Sequence, residues 1–149
     1  MTTQTSNLAY SPMIFVNLPS SDIARARAFY AGLGFSFDER FCNADSLMVG
    51  VSDTIHLMLL DRERFASFSP RPVASEGTVG ALVCLSQPSP EAVVDFVAKA
   101  VAHGGTDNGK TQEMGDFMYG RSVSDPDGNV LEIMWMDVDK AMKAWGMAA

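Results

Sequence analysis

The chain carries two versions of one short segment, and this internal repeat limits its fold more than any other feature. The first version covers residues 51–61 and the second covers residues 123–137. Each begins with Val-Ser-Asp, passes through a turn into an apolar stretch and ends with Asp. One ionisable residue opens each apolar stretch, His56 in the first version and Glu132 in the second. The repeat predicts a duplicated module whose halves each offer one such group to a shared cavity for a ligand or a metal.

The predicted secondary structure repeats as well. In each half a buried strand precedes an amphipathic helix that ends at glycines, and three further strands follow. Ser20 and Ser21 are the expected N-caps of the first helix, while Ser89 and Pro90 are expected to begin the second. Alternating phenylalanines predict one half-buried strand over residues 35–41. The element order is therefore βαβββ, linker, βαβββ, helix, which is an α+β fold.

A chain of 149 residues is expected to form one domain with a sizeable core. Its expected parts are a flexible N-terminal arm (1–12), a first βαβββ module (13–61), a linker (62–77), a second βαβββ module (78–137) and a C-terminal helix (138–149). A net charge of −7 without a Lys/Arg cluster argues against nucleic acid and anionic membranes as partners. The protein is therefore expected to act on, or bind, a small molecule.

The chain is expected to be cytoplasmic. No stretch is long and apolar enough to span a bilayer, and the first twelve residues lack the features of a secretion signal. Only Cys42 and Cys84 are present, far apart and without metal-type spacing, which is typical of a reducing compartment.

Several segments match a known superfamily over about residues 13–137. They are Val16-Asn17-Leu18-Pro19-Ser20-Ser21-Asp22-Ile23, Ala28-Phe29-Tyr30, Leu33-Gly34-Phe35, His103-Gly104-Gly105, and Ser124-Asp125-Pro126-Asp127-Gly128-Asn129 leading to Glu132. In these the chain resembles the vicinal-oxygen-chelate superfamily, which includes glyoxalase I, extradiol dioxygenases and bleomycin resistance proteins. Residues 117–121 add a match to its branch of predicted lactoylglutathione lyases. The resemblance implies a glyoxalase-like fold, in which eight strands form a curved half-barrel around an open cavity.

The resemblance also implies where a metal would bind. Metal-binding members take ligands from the first and last strands of each module, and these places fall near Phe15, His56, Leu82 and Glu132. Only His56 and Glu132 can coordinate a metal, whereas a catalytic metal usually needs at least three protein ligands. The expected metal site is therefore incomplete, and the cofactor is one divalent metal or none.

Both ionisable residues have a functional and a structural interpretation. Glu132 lies among apolar residues, where a carboxylate is unusual, so it is interpreted as a ligand or general base, or else as an acid paired with an arginine or the backbone. His56 pairs with Glu132, relays a proton or completes a weak metal site, or else it is a hydrogen-bonded core histidine.

Further residues are candidates for binding a substrate. Arg121, on a strand face with Tyr119, is expected to hold a substrate carboxylate or to neutralise Glu132. Asn17 is a polar candidate for the cavity wall. Met58 and Met134 lie two residues from His56 and Glu132 and are expected on the same strand faces. Phe15 and Leu82 are expected to make the cavity drier.

Two main functions agree with these sequence features, and a third is a further alternative. In the first the protein is a glyoxalase-like lyase or isomerase of a small carbonyl or thiol-adduct substrate, with Glu132 and His56 as catalytic residues. In the second it is a metal-free dimer that sequesters an apolar drug or metabolite, and the acidic charge of the chain favours a cationic one. The third is an enzyme that has lost its chemistry but kept its fold. A homodimer is expected because half-barrels leave edge strands that a second chain covers.

Overall fold

The computed structural model describes residues 9–147, so the first eight residues of the predicted arm (1–12) and residues 148–149 lie outside the described part. The first module contains β1 (Ile14–Ser20), α1 (Ile23–Gly32), β2 (Ser36–Phe37), a 3-10 turn (Glu39–Phe41), β3 (Ser46–Gly50) and β4 (Ile55–Asp61). After α2 (Arg62–Phe68), the second module contains β5 (Leu82–Ser86), α3 (Pro90–Ala102), β6 (Thr106–Met114), β7 (Met118–Ser124) and β8 (Val130–Met136). The last described helix is α4 (Val138–Ala144).

The eight strands form two four-stranded sheets with the same topology. Their orders are β1-β4-β3-β2 and β5-β8-β7-β6, and neither closes into a barrel within residues 9–147. In each sheet the first strand pairs in parallel with the last strand of its module, and the other pairs are antiparallel. The predicted α+β fold with two βαβββ modules is thereby confirmed.

Side-chain caps set where the helices begin. The N-cap of α1 is Asp22, whose side chain accepts a hydrogen bond from the Arg25 backbone, so the expected caps Ser20 and Ser21 were placed too early. Ser20 instead remains in β1. The expected start of α3 is correct: Ser89 accepts from the Ala92 backbone, and Pro90 opens the helix.

The strand expected over residues 35–41 is wrong beyond its first part. Only Ser36 and Phe37 are paired with β3, and the chain then enters the 3-10 turn. The Asp38 side chain accepts a hydrogen bond from the backbone of Arg40, which caps this turn and competes with strand pairing. The sheet edge is consequently short at this point.

The hydrophobic core lies between the two helices and one face of each sheet. Phe29 of α1 contacts Tyr30 edge-to-face, with ring centroids 4.9 Å apart. Residues of both modules contribute to one buried cluster, including Phe29, Tyr30, Leu57, Leu59, Leu131 and Ile133. Since side chains alternate along a strand, His56 and Glu132 point to the sheet faces opposite this core.

A buried carboxylate joins the two modules. Asp125 is 2% exposed, and its side chain accepts hydrogen bonds from Tyr30 Oη and from the backbone and side-chain nitrogens of Asn129, each at 2.9 Å. Asn129 Nδ2 also donates to the backbone carbonyl of Pro19 in β1. Burial raises the pKa of the Asp125 carboxyl and that of the Tyr30 hydroxyl. The turn before β8 is thus held against α1 and the end of β1.

Candidate functional site

Two cross-strand rows form the floor of a groove on the first sheet. Phe15 and Gly50 are the strand partners of His56, and they form the first row. Asn17 and Met48 flank Met58 in the second row. Because direct partners in neighbouring strands share a face, both rows lie on the side of the sheet opposite the core. Met58 therefore accompanies His56, as its spacing predicts.

The groove above this floor has a volume of about 840 Å³. This is in the size range of small-molecule sites, which are usually several hundred cubic ångströms and mainly apolar. Apolar and aromatic residues dominate its lining and include Met13, Phe15, Phe37, Phe41, Met48 and Met58. The groove is built from residues of the first module alone.

His56 stands out on this floor because its side chain makes no hydrogen bond to the described residues. Both ring nitrogens are buried, and neither has a hydrogen-bond partner among the described residues. One face of the imidazole stacks on Phe15, with centroids 5.1 Å apart and planes 13° from parallel. Leaving a buried polar group without a partner costs about 1–3 kcal/mol. The expected alternative of a hydrogen-bonded core histidine does not describe this side chain.

Charged residues of the 3-10 turn form the rim of the groove. Arg40 makes two hydrogen bonds to the Asp38 carboxylate, at 2.9 and 2.7 Å, and its guanidinium carbon lies 5.7 Å from the centre of the Phe41 ring. Arg27 likewise makes two hydrogen bonds to Glu39. Hydrogen bonding to Arg40 lowers the pKa of the Asp38 carboxyl, so this group is charged at neutral pH.

The corresponding floor of the second module carries different chemistry. Cys84 and Ser122 are the strand partners of Glu132, and Ser86 and Gly120 are those of Met134. The cavity here is only about 30 Å³. Burial and the charge of Glu132 raise the pKa of the Cys84 thiol.

The register corrects the position expected for Leu82. Leu82 pairs with Val130 and so lies two residues from the place opposite Glu132, which Cys84 occupies. The expected position is two residues too early, because β5 begins only at Leu82 and its third residue pairs with Glu132. Leu82 still shares the face of Glu132 and is 61% exposed.

Arg121 and Tyr119 do not accompany Glu132. Their strand partners are Ile133 and Trp135, which places them on the core side of the second sheet. Arg121 donates hydrogen bonds to Asp107 and to the Tyr119 hydroxyl. The expected pairing of Arg121 with Glu132 is therefore wrong, because the two side chains leave opposite faces of the sheet.

The two ionisable residues that the repeat singles out lie in separate cavities of the chain. His56 lines the groove of the first sheet, and Glu132 lines the small cavity of the second. Over residues 9–147 no three His, Cys, Asp or Glu side chains are grouped as metal ligands. The residues of one chain thus do not fit the metal site that the superfamily implies.

Sequence reasoning missed the residues of the groove wall. Phe37, Phe41, Asp38 and Arg40 belong to the segment that was expected to be a regular strand. The signal was present, since an Asp two residues before an Arg suits a capped turn better than a strand interior. Cys84 was interpreted only as a small apolar residue, and its place beside Glu132 depends on the strand register.

Comparison with known proteins agrees with this architecture. The family model of the Glyoxalase/Bleomycin resistance protein/Dioxygenase superfamily matches residues 13–133. A glyoxalase/bleomycin resistance protein/dioxygenase family enzyme from Burkholderia phytofirmans is 23% identical, with a TM-score of 0.68 over 83% of this chain and 98% of that one. Lactoylglutathione lyase from Agrobacterium tumefaciens is 19% identical, with a TM-score of 0.63 over 93% and 99%. A hypothetical protein from S. aureus is 20% identical, with a TM-score of 0.69 over 85% and 95%.

The chain therefore belongs to the Glyoxalase/Bleomycin resistance protein/Dioxygenase superfamily. No curated protein matches it. The solved structures support the fold, and their identities are too low to transfer an activity. Among the helices of residues 9–147, none has the length and apolar character needed to cross a membrane.

Proposed function

We propose that the protein binds a small, flat and mainly apolar molecule in the groove of its first module, without a metal. The observation that carries this proposal is His56, whose two buried ring nitrogens have no partner on the floor of an aromatic groove. A ligand with one hydrogen-bonding group would satisfy this side chain while its body packs on the stacked Phe15. A binding function also agrees with the poor fit of the chain's residues to a metal.

The energetics favour a ligand-binding role for His56 over a structural one. A buried polar group without a partner destabilises the free protein, so replacing it with an apolar ring should stabilise that state. A group that costs stability in the free protein and gains a partner in the complex is a typical trade-off between stability and function. A histidine that only stabilised the core would have hydrogen-bond partners in the free protein, and replacing it would lower the free energy of unfolding.

The alternative, a lyase or isomerase with Glu132 as base, needs more than one chain. Glu132 and His56 line different cavities of one copy, so a second copy would have to bring them together. The free sheet edges offer a route, because β1 and β5 are edge strands that carry exposed apolar residues. Ile14 is 58% exposed and Phe15 is 49% exposed. We therefore propose a homodimer in the cytoplasm, where both free thiols are compatible with a reducing environment.

The proposal is tested with N-phenyl-1-naphthylamine, a neutral probe with one N–H that fluoresces in apolar sites. Wild type is expected to bind it, and His56→Phe should weaken binding about fivefold to tenfold by removing one hydrogen bond. The same variant should raise the free energy of unfolding by about 1–3 kcal/mol. Glu132→Gln, which changes the equivalent residue of the second module, is the matched control for binding.

Two outcomes would contradict the proposal. If wild type leaves the probe fluorescence unchanged, the groove is not an apolar binding site. If His56→Phe binds as wild type does while Glu132→Gln loses binding, the ligand site lies in the second module. Sedimentation velocity of the same samples measures independently whether the protein is a dimer.

A further inference from the structure

The groove already holds a planar cation that belongs to the chain itself. The Arg40 guanidinium lies between the Asp38 carboxylate and the ring of Phe41, at the rim of the 840 Å³ groove. The Arg40 side chain is 81% exposed, whereas that of Asp38 is 28% exposed. The carboxylate is thus part of the wall, and the arginine covers it from the solvent side.

An exposed pair of this kind is easily exchanged. Ion pairs between solvent-exposed side chains contribute little, because water screens them and both side chains lose freedom. The arginine can leave without breaking packing, since its side chain is largely in solvent. The Asp38 carboxylate and the Phe41 ring would then face the groove, and this combination attracts delocalised cations.

The charge of the groove favours the same ligand class. Its lining includes the carboxylates of Asp38, Glu39 and Asp53 against the guanidinium of Arg40, and Arg27 pairs with Glu39, which leaves an excess of one negative charge. The protein as a whole carries a net charge of −7. An acidic cleft with apolar walls raises the local concentration of cations and disfavours anionic ligands.

We propose that the groove selects planar organic cations, in which an amidinium or guanidinium head takes the place of Arg40 against Asp38 and Phe41. The apolar body of the ligand lies deeper, over Phe15 and His56. The inference rests on the proposed function, because it assigns a ligand class to the same groove. It makes Arg40 a competitor of the ligand and Asp38 the residue that determines specificity.

The test compares 2-naphthamidine with 2-naphthamide, which have nearly the same shape and differ in charge. Calorimetric titration of wild type is expected to give about threefold to fivefold tighter binding of the amidine. Asp38→Asn should abolish this preference while leaving amide binding in place, because asparagine can still cap the 3-10 turn. Arg40→Ala should tighten amidine binding severalfold. The exposed pair Arg64 and Asp45, which lies outside the groove lining, supplies control variants that should change neither affinity.

The outcomes separate this inference from the proposed function. Equal affinity for the two probes in wild type would overturn the cation preference and leave the apolar groove intact. A preference for the amidine that survives Asp38→Asn would overturn the assigned place of the cation. Absence of binding by both probes would overturn the proposed function together with the inference.

Discussion

The two modules share their strand order, yet the first sheet bears a large groove and the second only a small cavity. The first floor row is Phe15, His56 and Gly50, and its counterpart in the second module is Cys84, Glu132 and Ser122. The cavity is about 840 Å³ over the first sheet and about 30 Å³ over the second. A shared strand order therefore does not make equivalent sites.

The edge strands β2 and β6, which come last in the two sheet orders, explain much of the difference in cavity volume. In the first sheet β2 has two residues and gives way to the 3-10 turn, which leaves the groove open. In the second sheet β6 has nine residues, and its Lys110 and Gln112 line the small cavity together with Glu132. The 3-10 turn thus gives the first module a groove wall, whereas β6 is exposed along its whole length.

The two Val-Ser-Asp segments also differ in where their aspartates lie. Asp125 of the second module is buried and accepts hydrogen bonds from Tyr30 and Asn129, whereas Asp53 of the first module is exposed and lines the groove. The longer second turn lets its aspartate fold back onto α1. The aspartate of the second module thus joins α1 to the turn before β8, whereas that of the first module faces the groove.

The largest expected effect comes from removing the buried aspartate. Asp125→Ala should lower the free energy of unfolding by about 3 kcal/mol, because the Tyr30 hydroxyl and several nitrogens would lose their acceptor. Asp53→Ala, the matched change in the first module, should alter it by less than about 0.5 kcal/mol. Urea unfolding of both variants measures this, and equal effects would show that the two segments have not diverged in role.

A tryptophan on each floor tests which module binds the probe. Met134→Trp should change the free energy of unfolding by less than about 1 kcal/mol and leave probe binding unchanged, since Met134 is half-buried and its strand partner Ser86 is exposed. Met58→Trp should change stability by less than about 1 kcal/mol and abolish binding of N-phenyl-1-naphthylamine, because the groove has the room. Thermal unfolding and probe fluorescence distinguish the two, and a severe loss of stability in Met58→Trp would mean that the groove closes in solution.

The pH dependence of stability should show the effect of burying Asp125. Burial raises the folded-state pKa of Asp125, so between the ordinary and the raised pKa the folded protein binds more protons than the unfolded chain. The stability of wild type relative to Asp125→Asn should therefore increase as the pH falls from neutral through this window. Urea unfolding of both proteins from pH 7 to pH 4 checks the sign, and a decreasing difference would contradict it.

The smallest expected effect concerns the thiol beside Glu132. The charge of Glu132 contributes to the raised pKa of Cys84, so Glu132→Gln should increase its thiolate fraction. Alkylation of Cys84 by iodoacetamide at pH 7.5 should become about two- to fivefold faster. Cys42, which follows the 3-10 turn of the first module, serves as the internal control, and mass spectrometry of the modified peptides gives both rates. An unchanged Cys84 rate would mean that the two side chains are further apart than their register implies.

Much of the fold could be predicted because it depends on local patterns. The start of α3 at Ser89 and Pro90 follows from capping chemistry, and the α+β order follows from the change between helical and strand periodicity. The prediction went wrong at residues 38–41, where a single hydrogen bond from the Arg40 backbone to Asp38 favours a turn over a strand. Local competition of this kind is a small energy difference that periodicity does not contain.

The amino-acid pattern alone predicts the duplicated βαβββ order, the family and the two ionisable residues that open the repeated strands. The three-dimensional contacts were needed to show that His56 and Glu132 lie in separate cavities, that Cys84 replaces Leu82 opposite Glu132, and that Arg121 faces the core. The reason is that strand register is set by contacts between distant segments. A shift of one residue moves a side chain to the other face of a sheet, and no local pattern in the chain records that choice.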